Sequence, residues 1–240
     1  VLTLAIEASN PNVPTPGVLL ARSGTEPSPG NAAILATLGL KQQDRHDDLL
    51  LPSISEVFKV AGASPAELDE ILVSIGPGGF TATRLACTAA AVLAEVSGAR
   101  LLAVPTVHVA IETELQERSH KKGLVVAMAG KQDTAYVARF DASLGLFSER
   151  GVVVGPGGLD TLLLPGDTLI HDAFLPASML EIASQRGNTC IPLRLTAEGL
   201  LGCRSAAGVV LPESLRPIYP REPDAVTQWR RRYGKAPGDA

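Results

Sequence analysis

Aromatic residues are scarce in this chain of 240 residues: one Trp, three Tyr and five Phe, 4% in all. Hydrophobic residues still make up 45%, so the core must be built from Leu, Val, Ile and Ala. Cysteine is rarer. Cys87, Cys190 and Cys203 are far apart, odd in number and form no C-x-x-C pair. They read as buried reduced thiols, which points to the cytoplasm. No apolar run approaches the ~20 residues that cross a bilayer, so no membrane partner is expected. The opening VLTLAIEAS has no basic lead and reads as a strand rather than a signal peptide, with an initiator Met trimmed or not included ahead of Val1. Positive charge is not in excess either. The net charge of −4 argues against a surface that grips nucleic acid throughout.

What is present is an ordered alternation. Residues 2–9, 18–22 and 32–40 read as strands, with Pro- and Gly-rich turns at 11–17 and 23–30 and a polar run at 41–45. Residues 46–62 read as a helix. Leu50, Ile54, Val57, Phe58 and Ala61 fall on one face. Pro52 requires the first turn, so Asp47 or Asp48 is the expected cap. A short capped turn (64–70), a strand (71–75), a helix (81–98), a strand (99–105) and a helix (106–120) follow. A second strand-rich unit begins near 123, with strands at 123–130, 134–141 and 149–158, and helices at 177–187 and from Thr196. The pattern predicts an α/β protein with mixed sheets and a duplicated fold. The units are 1–105, 106–215 and a Pro-rich, basic tail at 216–240.

GPGG occurs twice. At 155–158 it precedes a short Leu-rich segment and reads as a plain turn. At 76–79 it joins a strand to a long helix. There Gly76, Gly78 and Gly79 can expose N–H groups to an anion, Thr81 can cap the helix and Arg84 can add a charge. The loop fits neither the P-loop pattern nor G-x-G-x-x-G, because Thr81 takes the last glycine's place. Glycine at such a corner also serves packing alone, and spacing leaves both readings open.

The helix after that corner carries Ala82, Ala86, Ala89, Ala90, Ala91 and Ala94, with Leu85, Val92, Leu93 and Val96 for bulk and only Arg84 and Glu95 charged. A helix so poor in polar residues does not face water on every side. Leu49 and Leu51 likewise fall off the main stripe of helix 46–62. Together these surpluses predict a helical association surface.

LAIEAS (4–9), RHDDLLLPSI (45–54), ILVSIGPGGFTATRLACTAAAVLA (71–94) and LRPIYPREPDA (215–225) occur in the order, and with the motifs, of a known family. The chain resembles the TsaB (YeaZ) family, glycoprotease-like proteins of tRNA threonylcarbamoyladenosine synthesis. The match is looser over 106–205. The resemblance implies an actin-like, Hsp70-like ATPase (ASKHA) fold of two α/β lobes with mixed sheets. It also implies a non-catalytic subunit that pairs with the catalytic TsaD, is joined by the ATPase TsaE, and meets tRNA only through the complex. TsaD would transfer the threonylcarbamoyl group to N6 of the adenosine beside the anticodon of ANN-reading tRNAs. The same surface supports homodimers in the family. Carried over, it places the interface at His46, Leu49, Leu50, Ile54, Phe80, Thr81, Arg84, Leu85, Ala86, Ala89, Ala90 and Leu93. It leaves Glu7, Gly76, Gly78 and Gly79 as contacts for an anion, with no resident cofactor and ATP or ADP with Mg²⁺ only at a partner interface. Glu7-Ala8-Ser9 replaces the family's Asp-Thr-Ser, Ala82 replaces a glycine, and Ala129-Gly130-Lys131 replaces Asp-Ala-Arg. All three weaken nucleotide binding more than they touch the helices.

Other chemistry is poorly served. His46, His108, His120 and His171 are scattered, and His108 with Glu112 makes only a pair. No G-x-S-x-G elbow occurs. WRRRY (229–233) can meet an RNA backbone, although arginines at a chain end are more often simply solvated. The rival to a scaffold is a small-molecule kinase or ATPase that uses Glu7 and the 76–84 loop.

Overall fold

The computed structural model describes residues 1–10, 16–24, 32–40, 46–220, 229 and 232–234, with backbone alone at 46–48 and 149–150. Most of the loop at 11–17, most of the turn at 23–30, the polar run 41–45 and most of the tail lie outside these residues.

Two sheets stack with helices between and outside them. The first contains β1 (Leu2–Glu7), β2 (Gly17–Arg22), β3 (Ala33–Gly39), β4 (Glu70–Ser74), β5 (Arg100–Val104) and β11 (Gly208–Val210), in the order β11-β5-β4-β1-β2-β3. The second contains β6 (Leu124–Ala129), β7 (Ala135–Asp141), β8 (Leu146–Val154), β9 (Thr168–His171) and β10 (Thr189–Pro192), in the order β10-β9-β6-β7-β8. Each sheet is an antiparallel meander whose first strand pairs in parallel with the next strand along the chain. The expected duplication is present.

Strand alternation divides the core. Leu2, Leu4, Ile6, Val18 and Leu20 face α1 (His46–Ala61) and α2 (Phe80–Ser97). Ala5, Leu19, Ala21 and Leu72 face the space between the sheets, which α3 (Thr106–Glu117) and α6 (Ala197–Gly202) fill. The far side of the second sheet packs on α4 (Pro156–Leu162) and α5 (Ala177–Gln185). So α1 and α2 form an outermost layer.

Several expectations change. Pro52 is the seventh residue of α1, and Asp47 and Asp48 lie within the helix rather than capping it. The side chain of Pro52 is exposed, so the turn it weakens borders solvent. Gly79, not Thr81, is the N-cap of α2. The second GPGG is no plain turn, since Gly155 caps α4 and the next three residues open it. Strands β10 and β11 are too short to show a period, and β11 returns to the first sheet from the far end of the sequence. The first sheet therefore draws on more than residues 1–105. Cys87 and Cys203 are buried as expected, but Cys190 on β10 is exposed.

Candidate functional site

The glycine corner is built by the end of β1. The Ser9 carbonyl accepts from the Gly79 N–H at 2.7 Å and from the Thr83 hydroxyl at 3.2 Å. A Cβ on Gly78 would stand 1.9 Å from that same oxygen. Two backbones approach here more closely than any side chain allows. The Gly76 carbonyl accepts from Thr106 N at 2.8 Å, which ties the corner to α3. The Gly79 N–H that an anion would need is thus already engaged. The Arg84 guanidinium lies over the Phe80 ring, 5.1 Å from its centroid.

Glu7 has no exposed surface. Its Oε1 accepts from Ser9 N at 2.9 Å and from Ser9 Oγ at 2.6 Å, while Oε2 has no partner among the described residues. Burial pushes this carboxyl up, and the hydrogen bonds of Ser9 with the nearby Ser74 hydroxyl offset only part of that. Beyond it, a cleft of about 330 Å³ between the lobes is lined by Asn10, Gly78, Gly79, Lys131, Asp172 and Phe174 among others. Of the four expected anion contacts, Gly78 and Gly79 border this cleft.

The helical layer offers a different kind of surface. Between α1 and α2 runs a groove of about 640 Å³, lined mainly by Leu51, Ile54, Phe58, Leu85, Val92 and Leu93. Val92 is 57% and Val96 82% exposed. Ile54, Leu85, Ala89 and Leu93 border the groove. Leu49 is half-buried, and Phe80, Thr81 and Arg84 are exposed at the start of α2. The side chain of His46 lies outside the described residues. Leu50, Ala86 and Ala90 are corrected: all three are buried in the chain's own core and offer no surface to a neighbour. The helix period explains this, because positions 82, 86 and 90 share the face that packs on β4, while 81, 84, 85, 88 and 92 share the outer one.

Sequence reasoning missed Tyr219. Its ring lies 5.2 Å from that of Phe80, and Ile218 N donates to Ile75 O at 2.7 Å, so the segment after Leu215 straps across the start of α2. No local pattern announces such a contact between distant residues. The ring of His108 stacks on that of Phe147 at 4.1 Å. Among the described residues no group of three or more His, Cys, Asp or Glu is placed to hold a metal ion, and no helix is long and apolar enough to cross a membrane.

Residues 35–150, just under half of the chain, match the family model described as TsaD: tRNA N6-adenosine threonylcarbamoyltransferase. YeaZ from Pseudomonas aeruginosa superposes with a TM-score of 0.70 at 20% identity, covering 91% of this chain and 100% of its own. A further crystal structure, of an uncharacterized protein with similarity to peptidase YEAZ from Pseudomonas aeruginosa, gives 0.68 at 19% identity over 92% and 99%. The actin-like two-lobe fold is that of these structures. No curated protein matches the chain in sequence.

Proposed function

For a chain whose residues 35–150 match the TsaD/YeaZ family and whose fold is that of YeaZ, we propose a non-catalytic scaffold role in tRNA threonylcarbamoyladenosine formation. The chain holds a TsaD-type catalytic subunit through the outer face of α1 and α2, and a TsaE-type ATPase completes the assembly. The observation that carries this reading is the apolar groove between the two helices, edged by exposed Leu51 and Val92. Clustered apolar side chains on an outermost helical layer are what a partner's helices cover. Phe80 and Arg84 stand at one end of α2, and aromatic and Arg side chains are the residue types that anchor interfaces.

The kinase or ATPase reading finds less support. Glu7 is sealed from solvent, and the Gly79 N–H is spent on Ser9. A carboxylate that orients Mg²⁺ or water must reach it.

The test is to mix the purified chain with a TsaD-type subunit at micromolar concentration and follow sedimentation. A stable complex is expected, with no ATP turnover by this chain alone. Failure to associate, together with ATP hydrolysis abolished in Glu7→Gln, would establish the enzyme reading instead. A homodimer that excludes the TsaD-type subunit would assign the groove to a second copy.

A further inference from the structure

We propose that Glu7, acting through Ser9, is the positioning residue for the start of α2, and so for the surface through which this chain pairs. The inference rests on the scaffold reading and says what holds its surface in place.

β1 ends at Glu7, so Ala8 and Ser9 lie beyond the strand ladder and no neighbouring strand orients them. The Glu7 side chain does so instead. Its Oε1 accepts from both the Ser9 N–H and the Ser9 hydroxyl, at 2.9 and 2.6 Å. A side chain that bonds the backbone two residues on fixes a turn locally. Ser9 has no exposed surface, so bulk water does not replace these bonds. The Ser9 carbonyl, aimed by that turn, accepts from the Gly79 N–H and the Thr83 hydroxyl. Among the described residues, these are the hydrogen bonds that tie α2 and its N-cap to the rest of the fold. Gly78 lies against the same oxygen with no room for a Cβ, so the corner follows wherever that carbonyl goes.

α2 is a rod of 18 residues, about 27 Å long at ~1.5 Å per residue. A tilt of about 5° at the corner carries its far end through about 2 Å. Val92 and Leu93 line the groove from that rod, with Leu51, Ile54 and Phe58 of α1. Interface cores pack as densely as protein interiors, so such a shift spoils the fit of a partner's side chains. Phe80 and Arg84 ride on the start of the rod itself.

Position 7 must supply an acceptor rather than a charge. Burial favours the neutral carboxyl, whose carbonyl oxygen still accepts from Ser9. Gln carries the same oxygen, and the nearby Ser74 hydroxyl can receive its amide N–H. Met is of similar length and brings no such acceptor.

The experiment compares the full chain with Glu7→Gln, Glu7→Met and Thr83→Val, each checked for folding by circular dichroism. Binding to a TsaD-type subunit is measured by sedimentation at pH 7. Exchange of the Gly79 amide is followed by NMR in the chain alone. Glu7→Met is expected to weaken pairing about tenfold and to speed Gly79 exchange by about the same factor, well beyond any change in the amides of β6. Glu7→Gln should restore both to the parent's values. Thr83→Val removes one of the two bonds from the helix side and should weaken pairing about threefold; it carries the test if Glu7→Met does not fold. Pairing by folded Glu7→Met as tight as the parent's overturns the proposal. So does Glu7→Gln that pairs as poorly as Glu7→Met, or Gly79 exchange that rises no more than that of β6, the mark of a merely structural role. If the parent itself does not pair, the scaffold reading fails, and Gly79 exchange in Glu7→Met still decides whether Glu7 positions α2.

Discussion

Arg204, in the turn after α6, reaches the carboxylate of Glu70 at the start of β4, 134 residues earlier, and Arg100 on the neighbouring strand β5 binds the same group. Thr3 donates to it as well, at 3.3 Å. The pairing fastens the helix between the lobes to the first sheet.

Burial pushes the Glu70 carboxyl up, but the hydrogen bonds and charges of Arg204 and Arg100 outweigh it and hold the group below its ordinary value. The stability it contributes is present above the ordinary carboxylate range and is lost as pH falls through the lower folded value. Arg204→Met is expected to cost about 3 kcal/mol at pH 7, the lower end for a broken buried pair, because Arg100 remains. Urea denaturation should show that penalty shrinking in acid and mostly recovered in Arg204→Met with Glu70→Gln. An equal loss at pH 3 and pH 7 would contradict it.

Glu7 behaves in the opposite sense. Its raised value means that the folded state prefers the neutral carboxyl, so the group costs stability as pH rises above the ordinary range. Glu7→Gln should raise Tm at pH 7, with the gain vanishing toward pH 4. A variant less stable than the parent at neutral pH would show that the charge is needed.

The two faces of α2 predict opposite outcomes for one chemistry. Val92→Asp places a charge on the exposed side of the groove and should leave the monomer within about 0.5 kcal/mol of the parent, while abolishing association with a TsaD-type subunit. Ala90→Asp buries an unpaired charge against the first sheet and should prevent stable folding. Circular dichroism and sedimentation of the two variants check both halves.

Glycine at the corner is a steric requirement. Gly78→Ala would force a methyl onto the Ser9 carbonyl, and a loss of about 3 kcal/mol or more is expected. Gly98, which closes α2 at φ 74° with open space around it, should cost only about 1–2 kcal/mol as Ala. Thermal melts that reversed this order would refute the close-approach account.

The thiols should separate cleanly. Burial pushes Cys87 up to about 12, and burial with the charges of Glu112 and Glu7 pushes Cys203 up as well. Cys190 is exposed. A thiol reagent at pH 8 should take one equivalent quickly from the native chain and three after unfolding in guanidinium. Two fast equivalents would mean that one of the buried sites opens readily.

Much of this fold was written locally. The strands at 2–7 and 17–22 follow from short apolar runs bounded by Pro- and Gly-rich stretches, and the helix ends at Gly62 and Gly98 from the positive φ that glycine allows. The 71–94 stretch carried the family resemblance, and it lies within the region that matches the TsaD family model. Local pattern failed where an element is too short for a period, as at β10 and β11, or where a residue's role depends on what packs above it. The sequence alone determined a two-unit α/β chain with more apolar helix surface than one core needs. Only the tertiary structure decided which side of α2 is left bare, turning Ala86 and Ala90 inward and Val92 and Val96 outward. It also decided that the glycine corner's N–H is spent on Ser9, because hydrogen bonds and burial between residues dozens of positions apart are set by packing, not by neighbours in the chain.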